Sequence, residues 1–238
     1  RRRRRRRGRR GDAGGVSRIF RATQGPSDWR ALLADPDKQW RPGYSAMAAA
    51  QSWEAGFPPE VARLLGADAE LQLAVVEHKV PLPGRGYPSQ CDLFALVHSG
   101  GEDMAVAVEA KVGESFGPTV EEWLGKNPGA NKQERLNALL NWLGLTETQS
   151  GLRYQLLHRT AAAIAEARRF RRPVAAMVVQ SFSPERANWH DFAAFGHALG
   201  MSLEPGRPER CSLPCGLALL LGWAEGDPRY LTDLTGNE

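Results

Sequence analysis

The residues best suited to chemistry lie mid-chain: Asp92 near the head of the run CDLFALVH, and Glu109 and Lys111 near the end of MAVAVEAKV. Both runs are apolar and SGGED between them is a turn former, so the pair reads as a hairpin of two strands. In an antiparallel pair the start of one strand lies beside the end of the next, which brings all three side chains to one end of a sheet. Alternation along the second run puts Ala105, Ala107, Glu109 and Lys111 on one face and Val106, Val108 and Ala110 on the other. Two carboxylates so arranged can hold a hard cation such as Mg²⁺ or Mn²⁺ through one oxygen each. The cation would acidify a bound water and screen a phosphodiester, while the neighbouring ammonium orients that water or stabilises the developing charge. Each residue also has a plainer reading. Glu109 and Lys111 could form a solvated ion pair, though the apolar MAVAV ahead of them makes such a pair costly to bury without partners. Asp92 could simply turn the chain after PSQC.

Around the hairpin, punctuation and periodicity set out the remaining elements. SDWRALLADP opens organised sequence near Ser27 with a short helix; an Ala-rich helix starts near Tyr44 and stops at Gly56; Pro59 to Leu65 is a short helix closed by Gly66. The run from Ala69 to Lys79 fits a helix or a strand equally. Helices follow at Thr119 to Trp123 and Asn131 to Leu143, and a long one lies within Thr148 to Arg169. Pro173 to Phe182 reads as a buried strand, Trp189 to Leu199 as a helix, and Leu217 to Trp223 as a last strand. This order predicts a mixed central sheet flanked by helices in one α/β domain over residues 27–238, behind an Arg/Gly-rich disordered tail over residues 1–26.

Charge is unevenly spread. Residues 1–10 hold nine arginines, so the formal net charge of +4 conceals a mildly acidic remainder. The tail reads either as a nucleic-acid-binding arm or as a translated upstream stretch, and it carries no argument about the domain. Three cysteines argue against a disulfide framework and fit a reducing cytoplasm. Cys211 and Cys215 have no matching second pair, so burial is expected for them rather than a metal. The longest apolar stretch, CGLALLLGWA, is too short to cross a bilayer, so no membrane partner is expected. His78, His98, His158, His190 and His197 form no zinc motif, and neither a phosphate-binding Gly loop nor a GxSxG elbow is present.

Asp92, a hairpin turn and Glu109-Ala110-Lys111 together resemble the D…(D/E)xK signature of the PD-(D/E)XK nuclease superfamily, with Cys91 in place of the motif's proline. The segments GYSAMAAAQSW, EHKVPLPGRGYPSQCDLFALV, VEAKVGESFGPTVEEWL and RYQLLHRTAAA are also similar to a bacterial family of uncharacterised proteins assigned to that fold class. The resemblance implies a restriction-endonuclease-like sheet, Mg²⁺ or Mn²⁺ on Asp92 and Glu109, Lys111 as the catalytic ammonium, and nucleic acid, foremost DNA, as substrate. It adds Glu77 as an accessory acid and Gln155 as the glutamine of a helix beside the site. Arg159, one turn beyond Gln155, faces either a substrate phosphate or solvent. The loop PLPGRGYPS reads as flexible and would border the substrate groove, with Arg85 meeting a phosphate. A non-catalytic nucleic-acid- or protein-binding module of the same fold is the alternative, and a homodimer able to cut both strands is left open.

Overall fold

The computed structural model describes residue 20, residues 22–147 and residues 151–234. The arginine block of the expected tail lies outside them.

Six strands form one mixed sheet: β1 (Glu70–Val80), β2 (Ser89–Ser99), β3 (Glu102–Lys111), β4 (Val174–Ser181), β5 (Glu209–Ser212) and β6 (Ala218–Glu225), in the order β1-β2-β3-β4-β6-β5. The first three make an antiparallel meander, β4 runs parallel to both β3 and β6, and β5 returns antiparallel along β6. The run left ambiguous between helix and strand is β1. Its residues gain the ladder with β2, Val75 opposite Phe94 and Val76 opposite Leu93, which overrides any local helical preference. The short edge strand β5 escapes a sequence reading because four residues hold too few alternations to register.

Helices cover both faces. α1 (Pro26–Arg30), α2 (Pro36–Gln39), α3 (Ser45–Glu54) and α4 (Pro59–Leu65) precede the sheet; α5 (Val120–Leu124), α6 (Ala130–Leu143) and α7 (Tyr154–Phe170) make the crossover from β3 to β4, and α8 (Trp189–Ala198) lies between β4 and β5. A short 3-10 helix spans Pro228–Leu231. One core, built from Leu139, Leu157, Ile164 and Phe195 against Phe94, Ala105 and Ala107, lies on the side of α6, α7 and α8. A second, built from Trp29, Ala49, Trp53 and Leu64 against Val106, Val108 and Ala110, lies on the side of α1, α3 and α4. The alternation read along β3 therefore separates two cores, as an inner strand covered on both faces requires.

The cysteine expectation needs correcting. Cys211 is half-buried and Cys215 is exposed; the latter follows Pro214 in the β5–β6 turn, where neither core reaches it, while Cys91 alone is fully buried. No helix among the described residues is long and apolar enough to cross a membrane.

Candidate functional site

At one end of the sheet the ladders break in a way that opens a notch. The β2–β3 ladder stops at Leu93 opposite Val108, although β3 continues beside β4 as far as Lys111 opposite Ser181. The backbone N–H of Ala110, released from β2, is taken by the Asp92 side chain, whose Oδ2 accepts it at 2.7 Å. In β1 the pairing passes from Val76 to His78, and Glu77 between them adopts φ 51, rare for a residue with a side chain. Alternation breaks there: Val75 packs into the α7-side core, and three residues on His78 does so too, against Phe94. β2 breaks the same way, with Leu93 in the α3-side core and Cys91 in the α7-side core. Glu77 and Asp92 occupy these paired irregularities and both turn into a cavity of about 340 Å³ that Glu109, Lys111, Gln155 and Arg159 also line.

Glu109 is the hub and is only 2% exposed. Its Oε1 accepts from Lys111 Nζ at 2.7 Å and from Gln155 Nε2 at 2.7 Å, while its Oε2 accepts from Arg159 Nε. Arg159 continues through Nη1 to Ser89 Oγ at 3.0 Å. Gln155 and Arg159 thus both face the site from successive turns of α7, and Arg159 orients Glu109. The alternative of phosphate or solvent for Arg159 is thus replaced by a buried ion pair: the residue is 8% exposed and its guanidinium lies on Glu109 and Ser89. His158, between Gln155 and Arg159 in sequence, turns the other way. Its Nδ1 lies 2.8 Å from Ser89 Oγ, and burial first, then Arg159, lower its pKa to about 3. Held neutral, the ring shares one hydrogen bond with the Ser89 hydroxyl through Nδ1, while the same hydroxyl accepts from Arg159.

The electrostatics divide the carboxylates. Burial alone would raise the Glu109 pKa, but Arg159 and Lys111 outweigh it and hold the group at about 2, fully ionised. Burial, then Glu109, then Glu77 push Asp92 well above the ordinary carboxylate range. Glu77 is raised to about 7 by burial, even though Gln90 Nε2 donates to its Oε2. Lys111, lowered by burial but raised further by Glu109 and Asp92, stays charged, with its ammonium 5.2 Å from the centre of the Phe116 ring. Asp92 and Glu77 therefore hold a proton more readily than ordinary carboxyls, while Glu109 stays charged between two cations.

Lys38, Ser45 and Glu114 line the cavity and escaped the sequence reading. Glu114 Oε2 accepts from Val112 N at 2.7 Å and its Oε1 from Ser45 N at 3.1 Å and Ser45 Oγ at 2.8 Å, tying the end of β3 to the start of α3. The only signal for Glu114 was a third acid three residues after Lys111, and nothing local shows that it caps a helix far back in the chain. Arg85 was expected at this groove, and the structure moves it to a neighbouring cavity. The loop that carries it is pinned rather than flexible: Arg135 donates to the carbonyls of Pro83 at 3.2 Å, Tyr87 at 2.6 Å and Gly84 at 3.4 Å.

Among the described residues, no group of three or more His, Cys, Asp or Glu side chains is arranged to hold a metal ion. The expected pair, Asp92 and Glu109, asks for less. Asp92 Oδ1 carries no protein hydrogen bond among those residues, and hard carboxylate oxygens suit Mg²⁺ or Mn²⁺. Both Glu109 oxygens carry protein donors, so sharing one with a cation means loosening a partner.

No curated protein and no solved structure is matched by this chain. Residues 22–228, nearly all of the domain, match the family DUF6946, described as a domain of unknown function. The chain therefore belongs to the DUF6946 family.

Proposed function

We propose that this protein is a divalent-metal-dependent nuclease of the restriction-endonuclease-like class, hydrolysing phosphodiester bonds of nucleic acid, foremost DNA. The observation that carries the reading is the meeting of Asp92, Glu109 and Lys111 in one cavity, with Lys111 Nζ on Glu109 Oε1 at 2.7 Å and Asp92 fixed on the backbone of Ala110.

Asp92 and Glu109 would hold Mg²⁺ or Mn²⁺, which when bound supplies an acidified water and screens phosphate charge. The chain's own groups do the rest. Arg159 and Gln155 fix the Glu109 carboxylate from α7, so its orientation is set before substrate arrives. Lys111, 6% exposed and kept charged by Glu109 and Asp92, supplies a positioned ammonium for the attacking water or the developing charge. Glu77 adds a carboxyl whose pKa of about 7 lets it give or take a proton near neutrality.

The test is direct. Purified protein with Mn²⁺ or Mg²⁺ should cut at least one of single-stranded DNA, duplex DNA and RNA, and chelation or Asp92→Asn should stop it; asparagine keeps an acceptor for the Ala110 N–H, so the fold should survive. If no substrate is cut with either ion, the nuclease reading fails and a non-catalytic binding module of this fold takes its place.

A further inference from the structure

Beside the acidic cavity lies a second one of about 320 Å³ with the opposite character: Arg85, Lys132 and Arg135 stand on its wall with Tyr87, Trp123 and Tyr154, and no carboxylate does among the described residues. It follows from local sequence. Gly84 (φ 78) and Gly86 (φ 141) bend the loop over residues 83–88 so closely around Arg135 that a Cβ at either would come within 3.1–3.4 Å of that side chain. The guanidinium in turn donates to three loop carbonyls. The result is a fixed platform that holds out the side chains of Arg85 and Tyr87. Tyr87 is 92% exposed, and Arg85 makes no ion pair among the described residues. Because the backbone beneath them is already ordered, a ligand meeting the Tyr87 ring and the Arg85 guanidinium has less loop entropy to remove.

Across the cavity the Trp123 and Tyr154 rings stack at 3.8 Å, with Lys132 Nζ 5.3 Å from the Trp123 ring centre and donating to the carbonyls of Trp123 and Leu124, which leaves its charge unneutralised. Lys132 also belongs to the first turn of α6, where backbone N–H groups favour an anion. A single wall divides this cavity from the acidic one: Ser89 and His158 line the basic side, Arg159 the acidic side, and Ser89 Oγ is bonded to both.

We propose that this cavity is a subsite for single-stranded nucleic acid, in which Tyr87 stacks on one unstacked base and Arg85 and Lys132 take the adjoining phosphate. The proposal deepens the nuclease reading and rests on it for its biological sense, because it names the substrate as a single strand or a frayed end whose next phosphate lies toward Asp92 and Glu109. Rings give stacking that every base can use, and cations give phosphate contacts independent of sequence, so the subsite is indifferent to base identity. A duplex keeps its bases stacked internally and offers Tyr87 none.

The experiment is binding with chelator present, so that no cleavage is involved and its outcome is independent of the nuclease test. Fluorescently labelled oligo-dT, oligo-U and a duplex of equal length are titrated onto the full chain, and a 2-aminopurine base in the DNA single strand reports stacking. The expected result is tighter binding of single strands than duplex, quenching of 2-aminopurine, at least about fivefold weaker single-strand binding and lost quenching in Tyr87→Ala, and recovery in Tyr87→Phe. Arg85→Ala should weaken binding and lower its salt dependence. Oligo-dT and oligo-U titrations separate DNA from RNA as the source of the strand. Preference for duplex, or Tyr87→Ala and Arg85→Ala binding single strands as tightly as the parent, would overturn the subsite.

Discussion

The two cavities flanking Ser89 use arginine in opposite ways. In the acidic cavity Arg159 is only 8% exposed and its guanidinium is committed to Glu109 and Ser89, so a cation is consumed in making a buried carboxylate permanent. In the basic cavity Arg135 and Lys132 donate to backbone carbonyls, which neutralises nothing and leaves the positive charge of that wall, Arg85 included, open to an anion. One region therefore spends its arginine on a carboxylate and the other has cations with no carboxylate beside them, with a shared wall between the two. The mildly acidic composition of the domain hides this division, because net charge averages over surfaces that do different things.

The largest effect that would break the comparison is on stability. Arg159→Met should leave Glu109 buried without its main partner and cost about 3–5 kcal/mol in chemical denaturation, whereas a loss under about 1 kcal/mol would mean that Glu109 does not depend on Arg159. Next is the cation: at a hundredfold excess over its dissociation constant, Mn²⁺ should stabilise the parent by about 2.7 kcal/mol. Asp92→Asn combined with Glu109→Gln should remove that gain, and an equal rise in the melting temperature of both proteins would dismiss the pair as ligands. Arg135→Met sharpens the other side. It removes charged hydrogen bonds to the loop, so a loss of about 1.5–3 kcal/mol is expected. NMR order parameters for the amides of residues 84–87 should fall, and unchanged values would show that something else pins the loop.

The last effect is with pH. Glu77 is raised in the folded protein from 4.5 to about 7, so the unfolded chain gives up this proton first. Its contribution to stability is fully present below about pH 4.5 and is lost as pH rises through about 7. In chelator, Glu77→Gln should flatten the fall in stability across that window; an identical slope would show that the group titrates normally.

Much of this was legible in the sequence because it rests on alternation. The faces of β3, the hairpin and the Ala-rich helix of α3 follow from period and punctuation alone, and the convergence of Asp92 with Glu109 and Lys111 follows from antiparallel geometry. What stayed hidden depends on breaks in period or on distant partners. The left-handed Glu77 interrupts β1 in a way no propensity announces. Glu114 acts on Ser45, and Arg135 fixes a loop some fifty residues earlier. PLPGRGYPS looked flexible because its glycines were read as freedom, when at Gly84 and Gly86 they permit close approach to Arg135.

The central claim, that the acidic cavity is catalytic and Lys111 acts in the reaction rather than in holding the cation, is tested most directly by comparing the parent with Lys111→Ala in Mn²⁺-dependent cleavage and in Mn²⁺ binding by calorimetry. The account predicts cleavage slower by about a hundredfold or more, with Mn²⁺ still bound through Asp92 and Glu109. A Lys111→Ala protein that binds Mn²⁺ and cuts as fast as the parent would contradict it.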